Sequence, residues 1–458
     1  MNDPELADVV SRAEKFLAQG EPLLAYDAIS EGLTRSPDNI RLRQLQGLAL
    51  ARSGATQRAN VVLEKLRNER HADEETLGML GRTFKDLAAA AEHPGERKKF
   101  LKRAAEIYGD AYQQSGGYWS GINAATTNLL VGETRQASEL AKKVREQCLK
   151  EVRDPAGDSY WELAALGEAA LVSHNLSEAS DWYARAAEQG KRRFGDLQSS
   201  RRNARLVLQY WKEEPNWIDN YLRIPNVLVF AGHMIDRPDR VTRRFPSELE
   251  RIVTKELRSR IDRLDPGFGF ASAACGSDIL FLEAMLDRGA EISIVLPYNR
   301  EEFIPDSVDF VPNSNWRSRF DRVLERANSV ITASPQKLEI GGIAYEFCND
   351  LLFGLATIRA RQLETTLTPL AVWDRMTGDG PGGAASAIQS WRRAGREPEI
   401  VDLRRIADRS APARARKSSG GRTPRSKRSK FASRIAAILF ADAVGFSKLS
   451  EAEVPGFV

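Results

Sequence analysis

LGEAALVSHNLSEASDWYARAAE, residues 166–188, decides how the first half of the chain is read. Leu166, Gly167, Ala179, Tyr183 and Ala186 fall where two paired helices would touch. The same logic runs upstream with a fixed period. Small residues recur 34 positions apart at Ala13, Gly47 and Gly81, and again at Ala25 and Ala59. Pro37, in SPDN, closes the first unit. An insertion is expected around AEHPGERKK, after which the pattern resumes with Ala104, Tyr108 and Ala111.

A 34-residue period with small residues at the helix contacts resembles tetratricopeptide (TPR) repeats, two antiparallel helices per unit. Residues 1–222 are therefore expected to form a TPR-like helical solenoid. Such a solenoid offers a concave surface to a protein partner.

At Ile224 the pattern changes. VLVF (227–230), GFGFAS (267–272), ISIVLP (292–297), SVITAS (329–334), LAVW (370–373) and EIVDL (399–403) read as buried strands. Helical stretches separate them at 246–263, 278–288, 315–327, 344–363 and 383–395. Strands alternating with helices imply a parallel sheet covered on both faces. The fold class expected is thus α plus α/β, with the solenoid followed by a Rossmann-like parallel-sheet domain over 224–408. Residues 409–433, rich in Arg, Lys, Ser, Gly and Pro, read as a basic flexible linker.

Bulk properties narrow the function classes. The chain has 458 residues, of which 42% are hydrophobic, enough for several cores. Its net charge is +4, yet residues 409–435 hold ten Lys or Arg and no acid, which leaves −6 for everything else. The folded parts therefore gain no support for nucleic-acid binding. No apolar run is long enough to span a bilayer, and MNDPELADVV lacks the order of a signal peptide. Cys148, Cys275 and Cys348 are widely spaced, as are the four histidines, so reduced thiols in a cytoplasm are expected and a zinc site is not.

In open parallel sheets, ligands sit beyond the carboxyl ends of the strands. FAGHMID (230–236) places Gly232, His233 and Asp236 there. ASAACGSDILFLEAMLDRGAEISIVLP (271–297) runs a strand through Gly276, Ser277 and Asp278 into a helix, a start that favours anions or serves only as a cap. WDRMTGDGPGGAASAIQSW (373–391) adds Asp374, Gly382 and Gly383. Gly276 is expected to sit at a turn where a side chain would obstruct a ligand without upsetting the fold.

The A-x-x-G-S-D element (273–278) with I-x-I-V-L-P and Pro381-Gly382-Gly383 resembles the SLOG superfamily of Rossmannoid domains. The resemblance implies a nucleotide-like ligand. On the PGGxGTxxE motif of its hydrolases this chain carries Ala385, Ser386 and Gln389, with Gln389 in place of the glutamate. Gln cannot serve as a carboxylate base, which favours a sensor over a hydrolase.

Residues 435–451, IAAILFADAVGFSKLSE, resemble the opening strand of a class III adenylate/guanylate cyclase domain. By that resemblance Asp442 is a ligand of Mg2+ or Mn2+, and the complete cyclase is a dimer. Segment 434–458 then supplies one strand of that domain. The expectation is a sensory and regulatory portion that forms no cyclic nucleotide by itself. Two other readings stand beside it, a nucleotide-processing hydrolase and a non-catalytic TPR scaffold.

Overall fold

The computed structural model describes residues 4–153, 159–337, 342–377 and 381–410. They fall into two compact units. One comprises Met1–Ile224 with Arg361–Glu364, and the other begins at Pro225–Ala360 and continues from Thr365. The linker sequence from residue 411 onward, the cyclase-like strand and Asp442 lie outside the described residues; Arg409 and Ser410 close the last helix.

The first unit is built from paired helices. They are α1 (Pro4–Gln19), α2 (Pro22–Arg35), α3 (Ile40–Arg52), α4 (Thr56–Asn68), α5 (Glu74–Ala90), α6 (Pro94–Ser115), α7 (Tyr118–Val131), α8 (Thr134–Arg153), α9 (Tyr160–Val172), α10 (Leu176–Gln189) and α11 (Phe194–Trp211). The 34-residue period marks real structural positions. Asn39 caps α3 and Asp73, 34 residues on, caps α5, each side chain accepting a backbone N–H of the first turn. Gly20 and Gly54, equally spaced, take left-handed backbone (φ 77° and 93°) between the helices of their pairs.

Helix contact explains the small residues. A Cβ on Gly47 would lie 2.6 Å from Leu63, one on Gly81 2.8 Å from Tyr108, and one on Gly167 2.9 Å from Tyr183. Gly47 and Leu63 are 16 residues apart, as are Gly167 and Tyr183, whereas Gly81 and Tyr108 are 27 apart. The insertion expected near AEHPGERKK is therefore absorbed as longer helices: α5 has 17 residues and α6 has 22. Eleven extra residues are about three helical turns, so the contact face is kept.

After α10 the repeat rhythm ends, and α11 touches α1, α7 and α9. Gly195 permits this: its Cβ would stand 2.2 Å from the Leu17 carbonyl oxygen at the end of α1. A 3-10 turn, Pro215–Asn220, follows, where Asp219 accepts from Arg201 and Arg205.

The second unit holds a six-stranded, all-parallel sheet of β1 (Asn226–Gly232), β2 (Pro266–Ala271), β3 (Glu291–Leu296), β4 (Ser329–Thr332), β5 (Leu367–Trp373) and β6 (Glu399–Asp402). The spatial order is β4-β3-β2-β1-β5-β6. Helices α12 (Glu250–Leu264), α13 (Ser277–Asp287), α15 (Trp316–Glu325), α16 (Ile343–Gln362) and α17 (Ala384–Arg393) match the expected helical stretches within a few residues. Two short helices, α14 (Arg300–Ser307) and α18 (Leu403–Ser410), were not anticipated from the sequence. Central β1 is buried from Val227 to Ala231, and α13 is buried along most of its length, with Phe281 stacked on Phe230 at 4.5 Å. Burial on both faces is why these strands read as unbroken apolar runs. Edge strand β4 differs, leaving Val330 and Ile331 exposed.

All three cysteines are free and buried. Burial pushes the Cys148 and Cys275 thiols up to about 12 and raises Cys348 as well. No helix of the described residues is long and apolar enough to cross a membrane.

The helix contacts give a direct test. Gly81→Leu should lower stability by about 1–3 kcal/mol or more, because the new side chain must displace the buried Tyr108 ring. Gly109→Ala, in α6 with nothing within 4 Å of the added atom, should instead raise stability by roughly 0.5–1 kcal/mol. Urea unfolding followed by far-ultraviolet circular dichroism measures both; equal effects would contradict the contact geometry.

Candidate functional site

Two places gather polar groups that chemistry could use. The first is the carboxyl edge of the sheet. Chain order reverses between β1 and β5, which lie side by side with Gly232 opposite Val372. This is the switch point where open α/β sheets place ligands. His233 and Asp374 leave these neighbouring strands and meet, His233 Nε2 lying 3.2 Å from Asp374 Oδ1. Arg244 donates through Nε to Asp374 Oδ2 at 2.6 Å, and the Met376 N–H donates to Oδ1 at 3.0 Å. Burial alone would raise the Asp374 pKa, but the hydrogen bonds from His233 and Arg244 hold it well below the usual carboxylate range. Asp374 is thus a charged anchor for Arg244. Asp236 has a related role, accepting the backbone N–H groups of Arg244 and Phe245 and so fixing the loop that carries Arg244.

The glycine turns are occupied by the protein itself. Gly276 (φ 100°) pairs with Met234, and a Cβ there would stand 2.5 Å from the Ile235 nitrogen. The Ser277 N–H and hydroxyl both donate to the His233 carbonyl, at 3.1 and 2.7 Å. Gly232 makes room for this, since its Cβ would fall 2.1 Å from Ser277 Oγ. Gly382 (φ 83°) packs against Tyr345 and Glu346 of α16 and accepts from Asn349, while Gly383 begins α17. The structure therefore brings Gly232, His233, Gly276, Ser277 and Asp374 together through protein-to-protein contacts. The expectation that Gly276 tolerates a side chain is corrected: Gly276→Val would clash with backbone.

Asp278 stands apart. Its carboxyl is buried, receives the Ala274 N–H at 3.3 Å, and is pushed up to about 7 by that burial. A second cluster, missed in the sequence, joins the Tyr298 hydroxyl to Asp306 and Tyr345 at 2.7 Å each, with Lys337 also on Asp306.

The second place lies inside the solenoid. A cavity of about 580 Å³ is lined by residues of α1, α3, α5, α6, α7, α9 and α11. One face of α5 supplies Arg82, Lys85 and Asp86; one face of α11 supplies Asp196, Ser199, Arg202 and Asn203. Arg202 pairs with Asp86 at 3.0 Å, and Arg52 and Arg193 reach Asp196 at 3.4 and 2.9 Å. Lys85 donates to Asn123 and Asn203, and Asn203 donates on to Glu168, which also accepts from Thr126. Burial, aided by the neighbouring arginines and opposed by the nearby carboxylates, pushes Lys85 down to about 8 and Arg82 down to about 10. Sequence reading treated these helices as carriers of apolar and small contacts. The available signal was polar residues at i, i+3 and i+4 on α5 and at i, i+3 and i+7 on α11.

Residues 23–128 match the family model described as Tetratricopeptide Repeats-Sensor. Among solved structures, a thermophilic TPR protein of Thermus thermophilus matches with 19% identity, over 44% of this chain and 99% of that one, at a TM-score of 0.36. No curated protein matches the chain. The N-terminal unit carries TPR-like repeats, and a six-stranded parallel sheet with helices follows it.

Asp278 makes stability depend on pH. Its pKa is higher folded than unfolded, so the folded state holds the proton more tightly between about pH 4 and pH 7. Its contribution is therefore most favourable below pH 4 and declines as pH rises through 7. Asp278→Asn should remove this decline, gaining on the wild type by roughly 3 kcal/mol between pH 4 and pH 8. Parallel denaturant titrations at the two pH values check it; a constant difference would mean that Asp278 does not hold its proton.

Proposed function

We propose that this chain is a recognition module with no chemistry of its own: a TPR-type scaffold whose solenoid holds a protein partner and senses a ligand. One observation carries the reading. Helical pairs and α11 surround an inner surface set with ionic and aromatic side chains, where a plain packing core would be apolar. The description of the family model matched by residues 23–128, a repeat-based sensor, supports the same view. At the sheet edge, Asp374 is engaged by His233 and Arg244, and Ser277 by the His233 carbonyl, which suits a fixed structural corner. The finer part of the proposal is that the module regulates a class III nucleotide cyclase. It rests on residues 435–451, with Asp442 as the metal-holding residue.

A hydrolase in the α/β unit is the competing reading, favoured by the His233–Asp374–Arg244 cluster at the switch point. The two separate cleanly. Incubated with ATP, GTP, AMP or ADP-ribose and Mg2+ or Mn2+, the full chain should return every compound unchanged by chromatography. Crosslinking in cells should join it to a protein partner that is lost when Arg41 and Trp161, on the solenoid's inner surface, are both changed to Ala. Product formation that disappears in Asp374→Asn would replace the scaffold with the hydrolase.

A further inference from the structure

The deep part of the solenoid cavity carries more positive charge than its own acids neutralise. Arg52, Arg82, Lys85, Arg193 and Arg202 line it together with only Asp86, Glu168 and Asp196. Lys85, Asp86, Glu168 and Asp196 are each less than a tenth exposed, whereas the Arg82 and Arg202 side chains keep 16% and 30% exposure, so water screens the imbalance only in part. The pairing is also incomplete in detail. Asp196 is shared by Arg52 and Arg193. Asp86 is shared by Arg202 and Arg82, and the Arg82 contact is 3.7 Å, beyond hydrogen-bond reach. Arg52 Nε, Arg82 Nε and Asp86 Oδ2 are buried without a hydrogen-bond partner. Lys85 donates to the neutral oxygens of Asn123 and Asn203 and lies 5.3 Å from the centre of the Tyr108 ring, with no carboxylate in hydrogen-bond contact.

A buried cation left uncompensated is strongly unfavourable. Around Arg82, Lys85 and Arg202 the cations outnumber the acids they touch, in a cavity open enough to admit a small molecule. The outer lip has the opposite balance. Arg41 bridges Glu14 and Glu75 at 2.7 and 3.0 Å, and Glu74 accepts from Ser120, so three acids face one base. Trp119, Trp161 and Tyr118 also line the cavity, half-buried.

We propose that this cavity binds a small phosphorylated molecule bearing a planar ring. The dianionic phosphate sits among Arg82, Arg202 and Lys85. The ring stacks on the aromatic side chains, and its hydrogen-bond donors face the lip carboxylates. A neutral apolar ligand would leave the cations uncompensated, and a simple inorganic anion would leave the aromatic wall unused. This deepens the reading of the solenoid as the recognition surface and rests on it.

Calorimetry on the full chain tests it with AMP, GMP, inorganic pyrophosphate and uncharged adenosine as probes. AMP or GMP should bind once per chain, at least tenfold more tightly than adenosine and than pyrophosphate, and more weakly as salt rises. Arg82→Met and Arg202→Gln should each weaken that binding at least tenfold. Without ligand, Arg82→Met should keep or raise the melting temperature, because it removes an undercompensated buried charge. Arg202→Gln, at the more exposed of the two positions, carries the test where Arg82→Met fails to fold. Failure of AMP, GMP and pyrophosphate alike to bind the wild type, or equal binding by the folded variants, overturns the proposal. So does tight pyrophosphate binding that AMP does not match. Binding accompanied by turnover would leave this site standing and sink the non-catalytic reading. Absence of both binding and turnover would do the reverse.

Discussion

The architecture of the first unit depends on how closely its paired helices approach. At Gly47, Gly81 and Gly167 a large side chain from the facing helix occupies the space that a Cβ would need. Interiors packed at crystal-like density do not yield to an extra methyl group. Each glycine therefore sets a distance between axes, and the 34-residue recurrence of such seats sets the angle at which one pair follows the next. The lengthened α5–α6 pair shows the rule at work. Its eleven additional residues amount to a whole number of turns, so Tyr108 still meets Gly81.

Closure of the unit by α11 is the second step, and it changes what the repeats enclose. Gly195 lies against the end of α1, where any larger residue would strike the Leu17 carbonyl. The inward face of α11 is polar, with Asp196, Ser199, Arg202 and Asn203. Ionic groups away from water cost free energy unless their hydrogen bonds are complete. The apolar seats between helix pairs hold the shape, and the polar interior is carried at their expense.

Much of this order was legible in the sequence. The helix period, the six strands and the change at Ile224 all follow from apolar spacing, because burial on one face or on two writes itself directly into residue type. Short α14 and α18 escaped because a two-turn helix offers too few residues to establish a period. The meaning of the glycine turns was harder to read. Gly276 and Gly382 do adopt left-handed backbone, as a ligand loop would. Their freedom serves close packing against Ile235 and against Tyr345, and sequence alone does not tell a backbone that approaches a ligand from one that approaches another strand or helix. The inner polar faces of α5 and α11 were visible as spacings, but their meaning depends on α11 touching α1, a contact between residues some 180 positions apart.

The buried thiols have a practical consequence. Thiolate is the reactive form, and Cys148, Cys275 and Cys348 are both shielded and held protonated by burial. The native chain is therefore chemically quiet toward maleimides and iodoacetamides. A cysteine placed at Ala18, on the wall of the solenoid cavity, would react against a silent background. Its alkylation rate would report how readily a small molecule reaches that wall and how far a bound ligand shields it.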